Sequence, residues 1–391
     1  MIRNTNSFRP ARAVNQVWHM LRHWRRSLPL GLTVSLPQLL RAEDQVDYRY
    51  EYYKEDNNRM TIDTHSVYFE QKLVDAIIAK GELVYDGISG ATPTGTHNLN
   101  GKILTTQVWD IRRSISLQTD CRLGNQTITP GFAYSKEHDY QSYGISLNDA
   151  IEFNEKNTTL QLGVSHNFDT VRNFPNETIW SDKSSTEGIV GITQLLTPKT
   201  ILNTAFTFGN DSGYLSDPYR SAQYHPDIFP AGFYIGVPER RPAHRNKEIV
   251  YTSLTQYFDK LNASLEGSYR FYHDTYGVTA NTVGLTWHQW LGKHFIAEPF
   301  VRVYEQSAAD FYQVTFNGPY TTNPGGFHSS DYRLSELYST DMGLQATAVI
   351  NDHVHVVAGY HRYEMHGMDG KTDSGMYPKA NVYTIGLSIL W

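Results

Sequence analysis

The 391-residue chain holds a single cysteine, Cys121. No disulfide can form within it, and no cysteine cluster exists to bind a metal. One thiol suits a chain that crosses an oxidising compartment before it folds. Cys121 alternates with Leu117 and Leu123, which reads as an inert thiol on an apolar face. Charge is scarce as well, at 19% of residues. The formal net charge of -6 leaves no basic footprint for nucleic acid. No apolar run reaches the roughly 18 residues that a membrane helix requires. Mean hydropathy is negative. These absences would describe a soluble protein, except that a membrane barrel escapes the test because only alternate residues face lipid.

Aromatics are plentiful instead, at 13% of residues with 27 Tyr, a composition suited to interfacial girdles. From Val46 onward the text alternates apolar and polar, the period of a half-buried strand. Val46, Tyr48, Tyr50 and Tyr52 share one face, opposite Asp47, Arg49 and Glu51. Leu160, Leu162 and Val164 oppose Gln161, Gly163 and Ser165, and Leu265, Tyr269 and Phe271 oppose Glu266, Arg270 and Tyr272. Strands are expected near 45–54, 61–72, 78–88, 111–123, 126–136, 141–154, 157–168, 186–197 and 200–210. They continue near 247–258, 261–273, 279–290, 293–305, 335–349, 352–364 and 381–391. The total is about sixteen, within a range of roughly fourteen to eighteen.

Connections alternate in length. Gly124-Asn125, Glu155-Lys156, Pro198-Lys199, Asp259-Lys260 and Asn351-Asp352 mark tight turns. Long loops are expected over about 89–110, 169–185, 211–246, 306–334 and 365–380. A Greek-key sandwich has no reason to segregate its loops in this way. The expected fold is therefore all-β: one transmembrane antiparallel up-and-down barrel over 43–391, with short periplasmic turns and long extracellular loops. The chain closes on Thr384-Ile385-Gly386-Leu387-Ser388-Ile389-Leu390-Trp391. Thr384, Gly386, Ile389 and Trp391 fit the assembly signal of outer-membrane barrels, a polar residue and a glycine followed by apolar residues ending on an aromatic. The barrel-assembly machinery and outer-membrane lipid are the expected partners. Residues 1–42 read as a leader: Arg22, Arg25 and Arg26 precede an uncharged stretch from Ser27 to Leu40, with cleavage near Ala42. A start at Met20 would give that leader an ordinary length. The expected location is the outer membrane of a Gram-negative bacterium, reached through the periplasm.

Several segments carry a family resemblance. They are Val46 to Tyr50 with Tyr53 to Glu55, Ser89 to Gly95, Tyr134 to Tyr140 and Gly213 to Arg220. Ser268 to Tyr272, Tyr304 to Tyr312 and Ser330 to Ser335 complete the set. Together they span the whole region after the leader and resemble an uncharacterised bacterial family, domain of unknown function 3570. The resemblance implies an outer-membrane-type barrel of unknown activity and supplies no catalytic residues.

The inward face is expected to mix signs, with Arg49, Glu51, Arg112, Arg270, Asp274 and Arg302 among its charges. A sixteen-stranded barrel is wide enough for an aqueous channel unless something fills it. The loop over 211–246 is the natural filler, carrying Gly213, Gly232, Gly236, Pro218, Pro226, Pro230 and Pro238 with aromatics from Tyr214 to Tyr234. Folded inward, it would set a constriction with Asp217, Arg220 and Glu239; the alternative is that opposite charges simply pair and stiffen the barrel. Among 16 His, His353 and His355 share a strand face and are weak metal-ligand candidates with Asp352 or Glu364. No Gly-x-Ser-x-Gly elbow or His-Glu-x-x-His occurs. No cofactor is expected. Three functions stay open: a channel or transport barrel, a docking barrel that presents aromatic loops, and an enzyme with a site at the rim.

Overall fold

The computed structural model describes residues 44–172, 178–319 and 326–391. The leader region at 1–42 lies outside them. The alternating segments form strands β1 (Gln45–Glu55), β2 (Met60–Val74), β3 (Ile77–His97), β4 (Ile103–Leu123) and β5 (Gln126–Lys136). They continue as β6 (Tyr140–Phe153), β7 (Thr158–Arg172), β8 (Trp180–Thr197) and β9 (Thr200–Gly213). Two short strands follow, β10 (Ser221–Pro226) and β11 (Ile235–Pro238). Then come β12 (His244–Phe258), β13 (Ala263–Asp274), β14 (Thr279–Leu291) and β15 (Phe295–Gln306). The short β16 (Phe316–Gly318) precedes β17 (Leu337–Asn351), β18 (Val354–Gly367) and β19 (Lys379–Leu390).

All strands except β10, β11 and β16 form one closed antiparallel barrel of sixteen, each paired with its neighbours along the chain. The sheet closes where β1 pairs β19, with Val46 opposite Ile389 and Tyr50 opposite Ile385. Trp391 donates its backbone N–H to the Asp44 carbonyl at 2.9 Å, one pair beyond the strands themselves. Of the terminal signal, Thr384 and Gly386 face inward and Ile389 and Trp391 outward. Closure leaves no edge with unpaired N–H and C=O groups.

Period-2 alternation sets the two faces. On β1, Asp47 is 3% exposed and the adjacent Tyr48 40% exposed. Asp120, Gln161, Asn203, Glu266 and Glu298 point inward and are buried. Leu147, Leu162, Leu285, Leu344 and Leu387 point outward and are exposed. Outward aromatics border this apolar band: Tyr143, Phe168, Tyr360 and Tyr383 towards one end, Phe153, Phe295 and Trp391 towards the other. Cys121 shares the outward face of β4 with Leu117 and is half-buried.

Both barrel termini lie at the end with short turns. Left-handed backbone at Gly124, Asn154, Glu155, Lys156, Asn262 and Gly292 makes several of these turns tight. Two expected loops are largely strand. Within 169–185, Asp169 to Arg172 end β7 and Trp180 to Ser185 begin β8, with Arg172 opposite Trp180, because the hairpin ladder carries on past the change in sequence pattern. Residues 89–110 mostly continue the β3–β4 hairpin, with Pro93 paired to Thr105 and His97 to Ile103 across a register shift. Glycine and proline in that stretch imitate a loop in the sequence. Gly90 and Gly95 instead bend the strand at φ 136° and 95°, while Thr92, Thr94 and Thr96 keep it extended. Asn98 closes the true turn by accepting the N–H groups of Asn100 and Lys102, both at 2.9 Å.

The outward face is expected to reject charge in the middle of the band. Ile385→Arg, placed near the centre of β19, should cost about 2–4 kcal/mol in a urea titration of vesicle-folded protein. A loss below about 0.5 kcal/mol would mean that this face does not meet lipid.

Candidate functional site

The long loops at the other end fold into a cap. β10 pairs antiparallel with β11 and parallel with β16, so residues 214–243 and 307–319 share one small sheet. Ala222, Tyr224 and Val237 form its core, with Ile235 and Phe316 packed against them. Two further clusters join cap to barrel rim. Tyr276, Val278, Ala309, Phe311 and Leu334 make one; Tyr332, Leu337, Met376 and Tyr377 make the other, with Tyr304 against it. β10 also packs on the extended end of β3. Gly95 marks that contact: a Cβ there would meet the carbonyls of Ser330 at 2.5 Å and Ser221 at 2.9 Å. The long β3–β4 hairpin is thus the post on which the cap rests.

Six charged side chains tie the two principal loops together. Arg333 pairs with Asp331 at 2.6 Å and also with Asp217. Arg241 pairs with Asp331 at 2.8 Å and Glu239 at 2.7 Å. Arg220 lies 3.6 Å from Asp331 and donates to Thr92 Oγ1 at 2.9 Å and to the Pro93 carbonyl. Ser329 Oγ donates to Glu239 at 2.6 Å. Three arginines thus meet three carboxylates, and Asp331, fully buried, touches all three. The expected constriction residues Asp217, Arg220 and Glu239 are brought together, and they are bound to one another through the cap. Asp331, Arg241 and Arg333 complete the set. Ser330 to Ser335 is visible as a motif, but its charge partners Asp217, Arg220 and Arg241 sit in another loop. Arg241 is 90 residues from Asp331, and Asp217 is 116 from Arg333.

Protonation follows from this geometry. Burial opposes the charged form of Asp331, yet Arg333, Arg220 and Arg241 overcome it and hold the carboxyl well below the usual range. Asp217 is lowered in the same way by Arg333 and Arg220 against burial. Glu239 goes the other way, because its burial outweighs Arg241. A depressed folded value means stability that is fully present above the unfolded value of about 4 and lost progressively as pH falls from there through the folded value. Glu239 has the opposite sign, so acid relieves its burial cost. The cap should therefore hold through neutral pH and weaken below about pH 4.

On the barrel wall, Arg49 pairs with Glu51 at 2.6 Å, beside Thr384, and Arg112 with Asp86 at 2.5 Å. Asp274 takes Arg245 at 2.5 Å, and Arg245 stacks on Tyr276 with its guanidinium 4.6 Å from the ring centroid. Arg270 and Arg302 also face inward, apart from these pairs. His353 lies in the turn before β18, with Nδ1 at 2.8 Å from the Leu390 carbonyl. Neither it nor His355 belongs to a group of three potential metal ligands among the described residues. The trio that does, Asp110, Glu137 and Asp139, sits at the rim. There Tyr219 donates to Asp139 and the His138 N–H to Asp110 at 3.0 Å. Burial, with help from Asp110 and Asp139, pushes Glu137 up to about 7.

Two substitutions test the cap's construction. Asp331→Ala should leave three arginines short of a partner, Arg220 among them buried, and cost the cap about 3 kcal/mol. Gly95→Ala should strain a left-handed residue against two carbonyls and also loosen the cap. Limited proteolysis of folded protein should cut both variants within 214–243 or 307–336 at least about tenfold faster than wild type, with the barrel intact. Equal rates would show that neither group secures it.

No curated protein matches the sequence. Among solved structures the chain is similar to a bacterial polysaccharide outer membrane secretin, at 10% identity and TM-score 0.49, over 90% of this chain and 99% of that one. It is similar to CdiB from Acinetobacter baumannii at 9% identity and TM-score 0.51, over 88% of this chain and 60% of that one. OccK8 (OprE) of Pseudomonas aeruginosa matches at 8% identity and TM-score 0.43, over 89% and 98%. At 9% identity the likeness to CdiB is one of fold alone. The family described as protein of unknown function (DUF3570) matches residues 32–107, 100–181 and 174–389, so the chain belongs to that family.

Proposed function

We propose that this protein is a transport barrel of a Gram-negative outer membrane, whose polar lumen passes a solute under the control of the cap. An apolar outward band, aromatics near both of its borders and a closed sheet support the membrane assignment. Export through the periplasm and insertion by the barrel-assembly machinery at Thr384, Gly386, Ile389 and Trp391 belong to the same reading. The cap carries the transport reading. Two loops that a docking barrel would hold outward for a partner are folded over the barrel mouth instead. They are clasped by a charge network centred on Asp331. Small apolar clusters and ion pairs make a lid that can be released without disturbing the barrel's pairing.

Planar-bilayer recordings of the full chain test this. Wild type should sit closed with rare openings, and Asp331→Asn should raise the open fraction by roughly a hundredfold if the clasp is worth about 3 kcal/mol. Silence from both, with folded protein verified in the bilayer, would sink the transport reading and favour a docking barrel.

A further inference from the structure

Most charges on the inward wall are matched. Arg49, Lys80, Arg112 and Arg245 each have a carboxylate partner, and Lys247 bridges Glu187 and Asp211 at 3.0 Å each. Arg122, at the short-turn end of β4, also has no carboxylate partner among the described residues, but Arg270 and Arg302 differ from it in standing together. Among the described residues, neither guanidinium has a carboxylate within the 4.0 Å of an ion pair. Arg302 is exposed and Arg270 half-buried. Asp341 stands directly opposite Arg302 in the β15–β17 register, but it is turned to His361 Nδ1 at 2.6 Å.

The two arginines flank one strand. Arg270 lies opposite Thr282 and Arg302 opposite Gly284, on consecutive inward positions of β14. Their strands are two apart, about 10 Å by ordinary spacing. Gly284 puts no side chain between them. Tyrosines surround the pair. Arg270 stacks over Tyr272 at 5.4 Å, Tyr304 lies within electrostatic reach of both charges, and Tyr363 within reach of Arg302. Tyr304 also packs on the cluster that joins the cap to the rim. The station therefore lies just beneath the cap.

Two unmatched guanidiniums are unusual in a chain of net charge -6. An exposed guanidinium offers a planar fork suited to two oxygens of a carboxylate or phosphate. Tyrosine faces and hydroxyls beside it suit the hydroxylated or aromatic body of a small solute. We propose that Arg270 and Arg302, with Tyr272, Tyr304 and Tyr363, form an oxyanion-binding station on the lumen wall, and that the solute of this barrel is a small organic acid or phosphate ester. The identity of the solute rests on the transport reading; the station itself does not.

Equilibrium binding to the full chain in detergent tests it, with D-galacturonate, inorganic phosphate and neutral D-galactose as probes. Wild type should bind an oxyanion saturably and ignore galactose. The double variant Arg270→Gln/Arg302→Gln should bind it at least roughly tenfold more weakly, while keeping the heat-dependent gel shift of a folded barrel. Galacturonate retained over phosphate identifies a carboxylate solute, and the reverse a phosphate. Binding of galactose equal to galacturonate, no saturable oxyanion binding, or unchanged binding by the variant would each overturn the station. Binding needs no current, so a silent bilayer with intact binding removes only the transport reading. Conduction without oxyanion binding removes only this inference.

Discussion

Backbone pairing across the β1–β19 seam is the constraint from which the rest follows. A sheet that meets lipid cannot leave a row of N–H and C=O groups unpaired, so it must close on itself. Closure with sixteen strands fixes a wide interior. Strand pleating then divides every residue between two solvents, one apolar and one polar. Asp47 and Tyr48, adjacent in the chain and opposite in exposure, show that division at the seam itself. Because the outward face is committed to lipid, the chain can express function only on the inward face and in the loops at one end.

The cap answers the problem that closure creates. A wide polar interior open at both ends would be a general pore. The protein covers one end with loops whose apolar clusters are small, and Asp331 with its three arginines clasps them together. A buried carboxylate touched by three guanidiniums is costly to desolvate and more costly to leave unpaired. That asymmetry suits a lid, since the closed arrangement is specific while the barrel beneath it is stabilised independently by its ladder. The β3–β4 hairpin, longer than the lipid layer requires, supplies the post that sets the cap's position through Gly95.

The barrel was legible in the sequence almost strand for strand, because period-2 alternation and turn residues are local signals. All sixteen expected strands are present in the barrel. The β3–β4 extension was missed because Gly90, Pro93 and Gly95 break the pattern locally, while the pairing that rescues it comes from the neighbouring strand. Asp217, Arg220 and Glu239 were legible as loop charges near prolines and glycines. Their partners were not, since Asp331, Arg241 and Arg333 meet them only after separate loops fold over the mouth. Arg270 and Arg302 were visible as inward charges of mixed company. That they lack a carboxylate partner appears only once the strands have closed and the ion pairs along the wall are formed.

Hydrogen exchange of folded protein at pH 7 and at pH 3, corrected for intrinsic rates, tests most directly whether the ion-paired cap is separable from the barrel. The account predicts that amides within 214–243 and 326–336 are less protected at pH 3 than at pH 7 while those of β13, β14 and β19 keep their protection. Cap amides equally protected at both pH values, or cap and barrel amides that lose protection together, would contradict it.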